Sequence, residues 1–181
     1  MSEQPHLHAL IPSIKGIIFD IDGIFTDGKL HYTAEGETLK IFHVHDGLGI
    51  KLLLQSPIKV GVISGRKSPL LESRLKSLGI ANYVLGASDK TPPYESMIAQ
   101  WGLNDQEMAY MGDDLPDLPV MARVKLAITA ANANPLIEAH ADWQTQRPGG
   151  NGAVREVCDT FLQIHQCLSQ CMEALGHGKL P

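Results

Sequence analysis

Short apolar runs recur along this chain, each ending near Gly, Ser or Asp, and the segments between them carry apolar residues at helical spacing. The runs at 14–19, 59–63, 83–85, 108–111 and 125–128 are too short for buried helices and read as strands covered on both faces. Residues 142–144 read as a last edge strand. Helices are predicted at 47–55, where Leu48, Leu52 and Leu53 share a face, at 69–78, closed by Gly79, and at 92–101, with Pro at the start and Gly102 at the end. Shorter helices are predicted around 118–122 and 135–139. A long amphipathic helix is predicted over 153–175, with Val154, Val157, Phe161, Ile164, Leu168 and Cys171 on one stripe.

Strand and helix alternate for most of the length, which predicts an α/β fold: a Rossmann-like, doubly wound parallel sheet with helices on both faces. A single domain is expected over 14–175, between an N-terminal extension (1–13) and a loose tail from Gly176. One segment breaks the alternation. Residues 29–33 and 37–44 flank Ala34-Glu35-Gly36 and read as a projecting hairpin. Its Leu30, Tyr32, Leu39, Ile41 and Phe42 are too apolar to stand alone in water, so it is read as an oligomer contact.

Composition narrows the partners. With 44% hydrophobic and 19% charged residues over 181 positions, the chain has the material for a core. Its net charge of -5, with no Lys/Arg block, argues against nucleic acid. No run is long enough to span a bilayer, and Met1 to Pro12 do not read as a secretory signal, so a cytoplasmic place is expected. Cys158, Cys167 and Cys171 are odd in number and read as buried or interface thiols in a reducing compartment. Zinc at Cys167 and Cys171 with His165 is the lesser reading, since thiols four apart on an apolar helix face usually pack.

Polar residues collect where predicted strands end, the edge at which open parallel sheets bind ligands. The first end carries Asp20 and Asp22, the second Ser64-Gly65-Arg66, and the fourth Gly112-Asp113-Asp114 with Asp117; Lys90 opens the helix between. Two carboxylates in i, i+2 positions on an extended chain share a face, and at ~4 Å and an effective dielectric of ~20 they repel by ~4 kcal/mol. A cation offsets that repulsion, and oxygen ligands alone point to Mg²⁺. His43-x-His45-Asp46 also has metal-like spacing, although a hairpin strand running into a turn accounts for it equally.

The order and spacing of these ends resemble the haloacid dehalogenase-like phosphohydrolase superfamily. Asp20-x-Asp22-Gly23 with Thr26-Asp27-Gly28 looks like its first motif, Ser64 its second, Lys90 its third and Gly112-Asp113-Asp114-x-x-Asp117 its fourth; the likeness runs from about Ile14 to Phe161. It implies a Mg²⁺-dependent phosphomonoesterase with Asp20 as nucleophile and Asp22 as general acid and base. That role requires a protonatable Asp22 carboxylate, so the metal would be held by Asp20, Asp113 and the backbone carbonyl of Asp22. Ser64, Gly65 and Lys90 would bind phosphate, and Asp114 and Asp117 would stand behind them.

The gaps between motifs hold no cap domain, which implies the capless subgroup: tetramers with a hairpin in this position that act on phosphorylated sugar acids. Further matches lie at Asp46-Gly47-Leu48-Gly49-Ile50, at Ser64 to Ser68 with Arg74, and at Gly149 to Glu156, while Pro92-Pro93 departs from the pattern. Arg66 and Arg74 are the candidates for a sugar carboxylate. Thr26 either touches substrate or caps its loop. The glycines at 149–152 and the tail beyond Gly176 are candidates for a flap over the site. A phosphatase of another nonulosonate, of the sialic acid 9-phosphate type, is the rival enzyme reading, and the sequence does not separate the two; a catalytically silent oligomerisation module and a phosphomutase are the other rivals, the first opposed by the retained Asp20 and Lys90, the second by the missing cap.

Overall fold

β1 (Gly16–Phe19) is apolar throughout because it lies in the middle of a sheet with helices on both sides. The computed structural model describes residues 5–176. Among these, six strands form one parallel sheet in the order β5-β4-β1-β6-β7-β8, with β4 at Lys59–Ser64, β5 at Asn82–Leu85, β6 at Met108–Met111, β7 at Leu126–Thr129 and β8 at Trp143–Gln144. Side chains alternate across the sheet. Ile17 and Phe19 enter one core while Ile18 enters the other. The larger core receives α1 (Pro5–Leu10), α2 (Val44–Leu53), α3 (Pro69–Leu78), α7 (Ala153–Ile164) and α8 (Leu168–Ala174). The smaller receives α4 (Thr91–Trp101), α5 (Leu118–Met121) and α6 (Pro135–Glu138). The chain runs outward from β1 through β4 to β5, then returns to pair β6 on the other flank, so β1 sits at the switch point of the winding.

Between β1 and β4 stand only α2 and a two-stranded antiparallel hairpin, β2 (His31–Thr33) and β3 (Gly36–Leu39), and between Ser64 and Lys90 only α3 and β5. No cap domain covers the described residues. No helix among them is long and apolar enough to cross a membrane. Cys158, Cys167 and Cys171 are free and belong to the larger core.

Several expectations are corrected. The helix expected over 153–175 is two helices. His165 caps the first, Gln166 turns left-handed (φ 53°), and Cys167 N–H reaches back to Leu162 O at 3.0 Å. That is a Schellman stop with Gln where Gly is usual, so no glycine marked it in the sequence. The second hairpin strand ends at Leu39, and α2 begins at Val44 instead of at 47. His43 is the N-cap of α2, its Nδ1 accepting the His45 N–H at 3.3 Å, so the two histidines are not on a strand. Residues 5–13 are not a bare extension: they form α1 and a 3₁₀ turn that place Leu7 and Ile11 in the larger core. The tail beyond Gly176, like residues 1–4, lies outside the described residues.

Candidate active site

Asp20 follows β1 directly, and its N–H donates to Met111 O at 2.8 Å, which sets it beside Gly112 and Asp113 at the end of β6. The chain then turns under itself. The N–H groups of Ile24, Phe25 and Thr26 converge on Ile21 O, and Gly23 adopts φ +84°. A Cβ on Gly23 would overlap the Asp113 carboxylate, so glycine is needed for the two loops to meet. Thr26 is buried and its hydroxyl accepts the N–H groups of Gly23 and Gly28 at 3.4 and 3.3 Å. These bonds cap the loop.

The glycines at 149–152 do not form a free flap. Gly149 N–H donates to Asn132 Oδ1 at 2.7 Å and Gly150 N–H to Ile24 O at 2.8 Å. A Cβ on Gly149 would strike Gly23 O, and one on Gly150 would strike the Thr26–Asp27 backbone. Bare backbone is required there because the segment braces the Asp20 loop from behind.

Lys90, the residue before α4, is buried with its Nζ 2.6 Å from Asp117 Oδ1 and 2.9 Å from Asp20 Oδ1. The first contact is a hydrogen bond and the second an ion pair. Asp117 is fully engaged. Its Oδ1 also receives the Tyr110 hydroxyl at 2.6 Å, and its Oδ2 accepts the N–H groups of Asp113 and Asp114 at 3.2 and 3.3 Å. Asp114 caps the turn at Leu115–Asp117 and binds Asn134 Nδ2 at 2.8 Å, at the solvent edge.

One ammonium faces an excess of carboxylates. Burial and the Asp117 charge push Asp20 up to about 8 against the pull of Lys90. Burial, Asp117 and Asp114 push Asp113 up to about 7. Burial alone would depress Lys90, but Asp20 and Asp117 outweigh it and raise the ammonium above the usual lysine value. Asp20, Asp113 and Asp117 each offer an oxygen within 4.8 Å of the others. Since Asp117 already accepts four donors, the oxygens with capacity to spare are those of Asp20 and Asp113. Two buried carboxylates driven toward protonation, in a set of three acids facing one ammonium, suit a small hard dication. His43 and His45 are not part of this cluster.

Asp22 lies at the front of the same loop, half-buried. Lys40 donates to its Oδ1 at 2.5 Å, and Arg66 Nε stands 3.6 Å from its Oδ2. Ser64 is buried at the end of β4, its Oγ accepting the Arg66 N–H at 3.2 Å, with the exposed Gly65 between them. The Arg74 guanidinium packs on the Phe42 ring and against Gly47, and its Nε is buried without a hydrogen-bond partner. Lys40 and Tyr110 were missed in the sequence. Tyr110 looked like one more strand residue, and Lys40 sits between the apolar Leu39 and Ile41, with Asp22 far away in the chain.

A carboxylate set at the switch point of a capless α/β sheet, facing a buried lysine, is the arrangement of a phosphoryl-transfer hydrolase. The family model of the haloacid dehalogenase-like hydrolases matches residues 86–157. Over 150 residues the chain is 45% identical to the 3-deoxy-D-manno-octulosonate 8-phosphate phosphatase KdsC of Yersinia pestis, covering 83% of this chain and 80% of that one. A hydrolase structure of subfamily III A from Legionella pneumophila superposes with a TM-score of 0.91 at 41% identity, covering 94% of each chain. The 3-deoxy-D-manno-octulosonate 8-phosphate phosphatase of Moraxella catarrhalis, solved with magnesium, phosphate and the sugar acid, superposes with a TM-score of 0.89 at 35% identity, covering 96% of this chain and 99% of that one. The chain belongs to the haloacid dehalogenase-like hydrolases. Within that family, the relatives it resembles over most of its length include enzymes that remove the 8-phosphate of a sugar acid.

Proposed function

We propose that this protein hydrolyses 3-deoxy-D-manno-octulosonate 8-phosphate to the free sugar acid and inorganic phosphate, a step of lipopolysaccharide precursor synthesis. The observation that carries the reading is the convergence of Asp20, Asp113 and Lys90 at the end of β1, in a chain 45% identical to an enzyme of that activity. Asp20 and Asp113, with the Asp22 carbonyl, would hold Mg²⁺. When bound, that ion draws charge from the phosphoryl oxygens and lowers the repulsion between phosphate and nucleophile.

The Asp20 carboxylate attacks phosphorus, and the bond from phosphorus to the sugar oxygen breaks. Asp22 gives its proton to the departing oxygen. Asp22 then takes a proton from water, whose oxygen attacks the aspartyl-phosphate, freeing phosphate and restoring Asp20. Lys90 and Ser64 stabilise the transferring oxygens, and Asp117 holds Lys90 in place. Arg66, beside Asp22, is suited to the substrate carboxylate. Arg74, with its unpartnered buried Nε, would take part only where a sugar acid reaches the start of α2.

The exposed Leu30, Tyr32, Leu39 and Ile41 of the hairpin support assembly through that face, as a homotetramer. Three free thiols support a reducing, cytoplasmic setting.

The test is inorganic phosphate release from 3-deoxy-D-manno-octulosonate 8-phosphate and from a sialic acid 9-phosphate, with Mg²⁺ and with chelator. A higher kcat/KM on the first substrate, lost with chelator, supports the reading. Preference for the second substrate, or activity in chelator, overturns it. Light scattering tests the tetramer.

A further inference from the structure

Around Lys40 the usual pattern is inverted. Leu39 is 49% and Ile41 58% exposed, while Lys40 between them is only 9% exposed. A chain folded for stability alone would turn the ammonium outward and the two apolar side chains inward. Burying an ion pair seldom stabilises more than an apolar pair of the same size, so Lys40 is not explained by packing.

Its surroundings supply the reason. Nζ donates to Asp22 Oδ1 at 2.5 Å and lies 3.0 Å from Glu37 Oε1, its neighbour on β3. The other oxygen of Asp22 faces Arg66 Nε at 3.6 Å, and Arg66 Nη1 donates to the Tyr32 hydroxyl at 3.5 Å. Each oxygen of Asp22 thus has its own cation, and each cation is held by a hairpin residue: Glu37 on one strand, Tyr32 on the other. A carboxylate on a turn has two free torsions, and this bracket removes both.

We propose that Lys40 is a positioning residue for Asp22, holding that carboxylate in the orientation from which it transfers protons to and from the reacting oxygens. The proposal rests on the reading of Asp22 as the proton-transfer group. Lys40 itself touches neither Asp20 nor Lys90 in the hydrogen bonds and ion pairs formed among the described residues, so its effect should appear in turnover and not in binding.

The test uses the full-length enzyme with Mg²⁺ and 3-deoxy-D-manno-octulosonate 8-phosphate. Lys40→Met should lower kcat by about 10- to 100-fold with KM within about twofold, as expected when a proton-transfer group loses its alignment. Lys40→Arg, which keeps a cation in place, should recover most of that loss. A Lys40→Met enzyme with wild-type kcat, or one whose loss lies in KM alone, overturns the proposal. Should Lys40→Met fail to fold, Glu37→Gln removes one side of the bracket and should still lower kcat; an unchanged kcat there overturns the proposal equally. Asp22→Asn separates the two readings. If it is inactive while Lys40→Met is not, only Lys40 is misassigned; if it turns over normally, the reading of Asp22 falls.

Discussion

Tyr110 donates its hydroxyl to Asp117 Oδ1 at 2.6 Å, the same oxygen that receives Lys90. A phenol buried in the smaller core therefore helps fix an ammonium at the catalytic face. Tyr110→Phe removes one donor from a buried carboxylate and should cost about 1–3 kcal/mol in urea unfolding. The loss should be accompanied by lower kcat, because Asp117 then holds Lys90 less firmly. Unaltered stability would mean that the hydroxyl contributes nothing to the cluster.

Metal and pH should act against each other on stability. Asp20 and Asp113 have folded values raised from 3.8 to about 8 and about 7. The native chain without metal therefore binds these protons more tightly than the unfolded chain, and its stability should fall as pH rises from about 4 through about 8. Mg²⁺ binds the deprotonated form, so the gain in Tm on adding it should grow over the same range. An equal gain at about pH 5 and about pH 8 would contradict the linkage.

Asp20→Asn should abolish phosphate release and, at a pH above the Asp20 value of about 8, raise the Tm of the chelated protein, since it then removes one charge from a crowded set. Both readouts come from one preparation. Lost activity with a lowered Tm would show that the Asp20 charge is needed by the fold.

Lys90→Met should have the opposite effect on stability. It leaves Asp20 and Asp117 buried without their shared cation, at a cost of about 3–5 kcal/mol, and stops turnover. Because Mg²⁺ offsets part of the same charge, the deficit should shrink in its presence.

The middle of the sheet was legible because β1, β6 and β7 are buried on two faces and so read as unbroken apolar runs, as at Ile17, Ile18 and Phe19. The acidic strand ends were legible because each follows directly on an apolar run in the sequence, at Phe19-Asp20 and at Met111-Gly112-Asp113. What escaped was decided by partners far away in the chain. The burial of Lys40 is explained by Asp22, eighteen positions earlier, as well as by nearby Glu37. The end of α7 is written in tertiary packing, with Gln166 forced left-handed where no glycine signals it. His43 looked like a ligand because its spacing to His45 serves equally for an N-cap. The glycines at 149–152 were read for their freedom, whereas their use is the absence of a side chain.

Gly149 touches the back of Gly23, and Gly23 touches the Asp113 carboxylate. Two hydrogens, one behind the other, thus set how near the loop after β1 can come to the loop after β6. The room left for a dication is measured out by parts of the molecule that never meet it. A saturation screen for lost turnover would score these two glycines as severely as the acids in front of them.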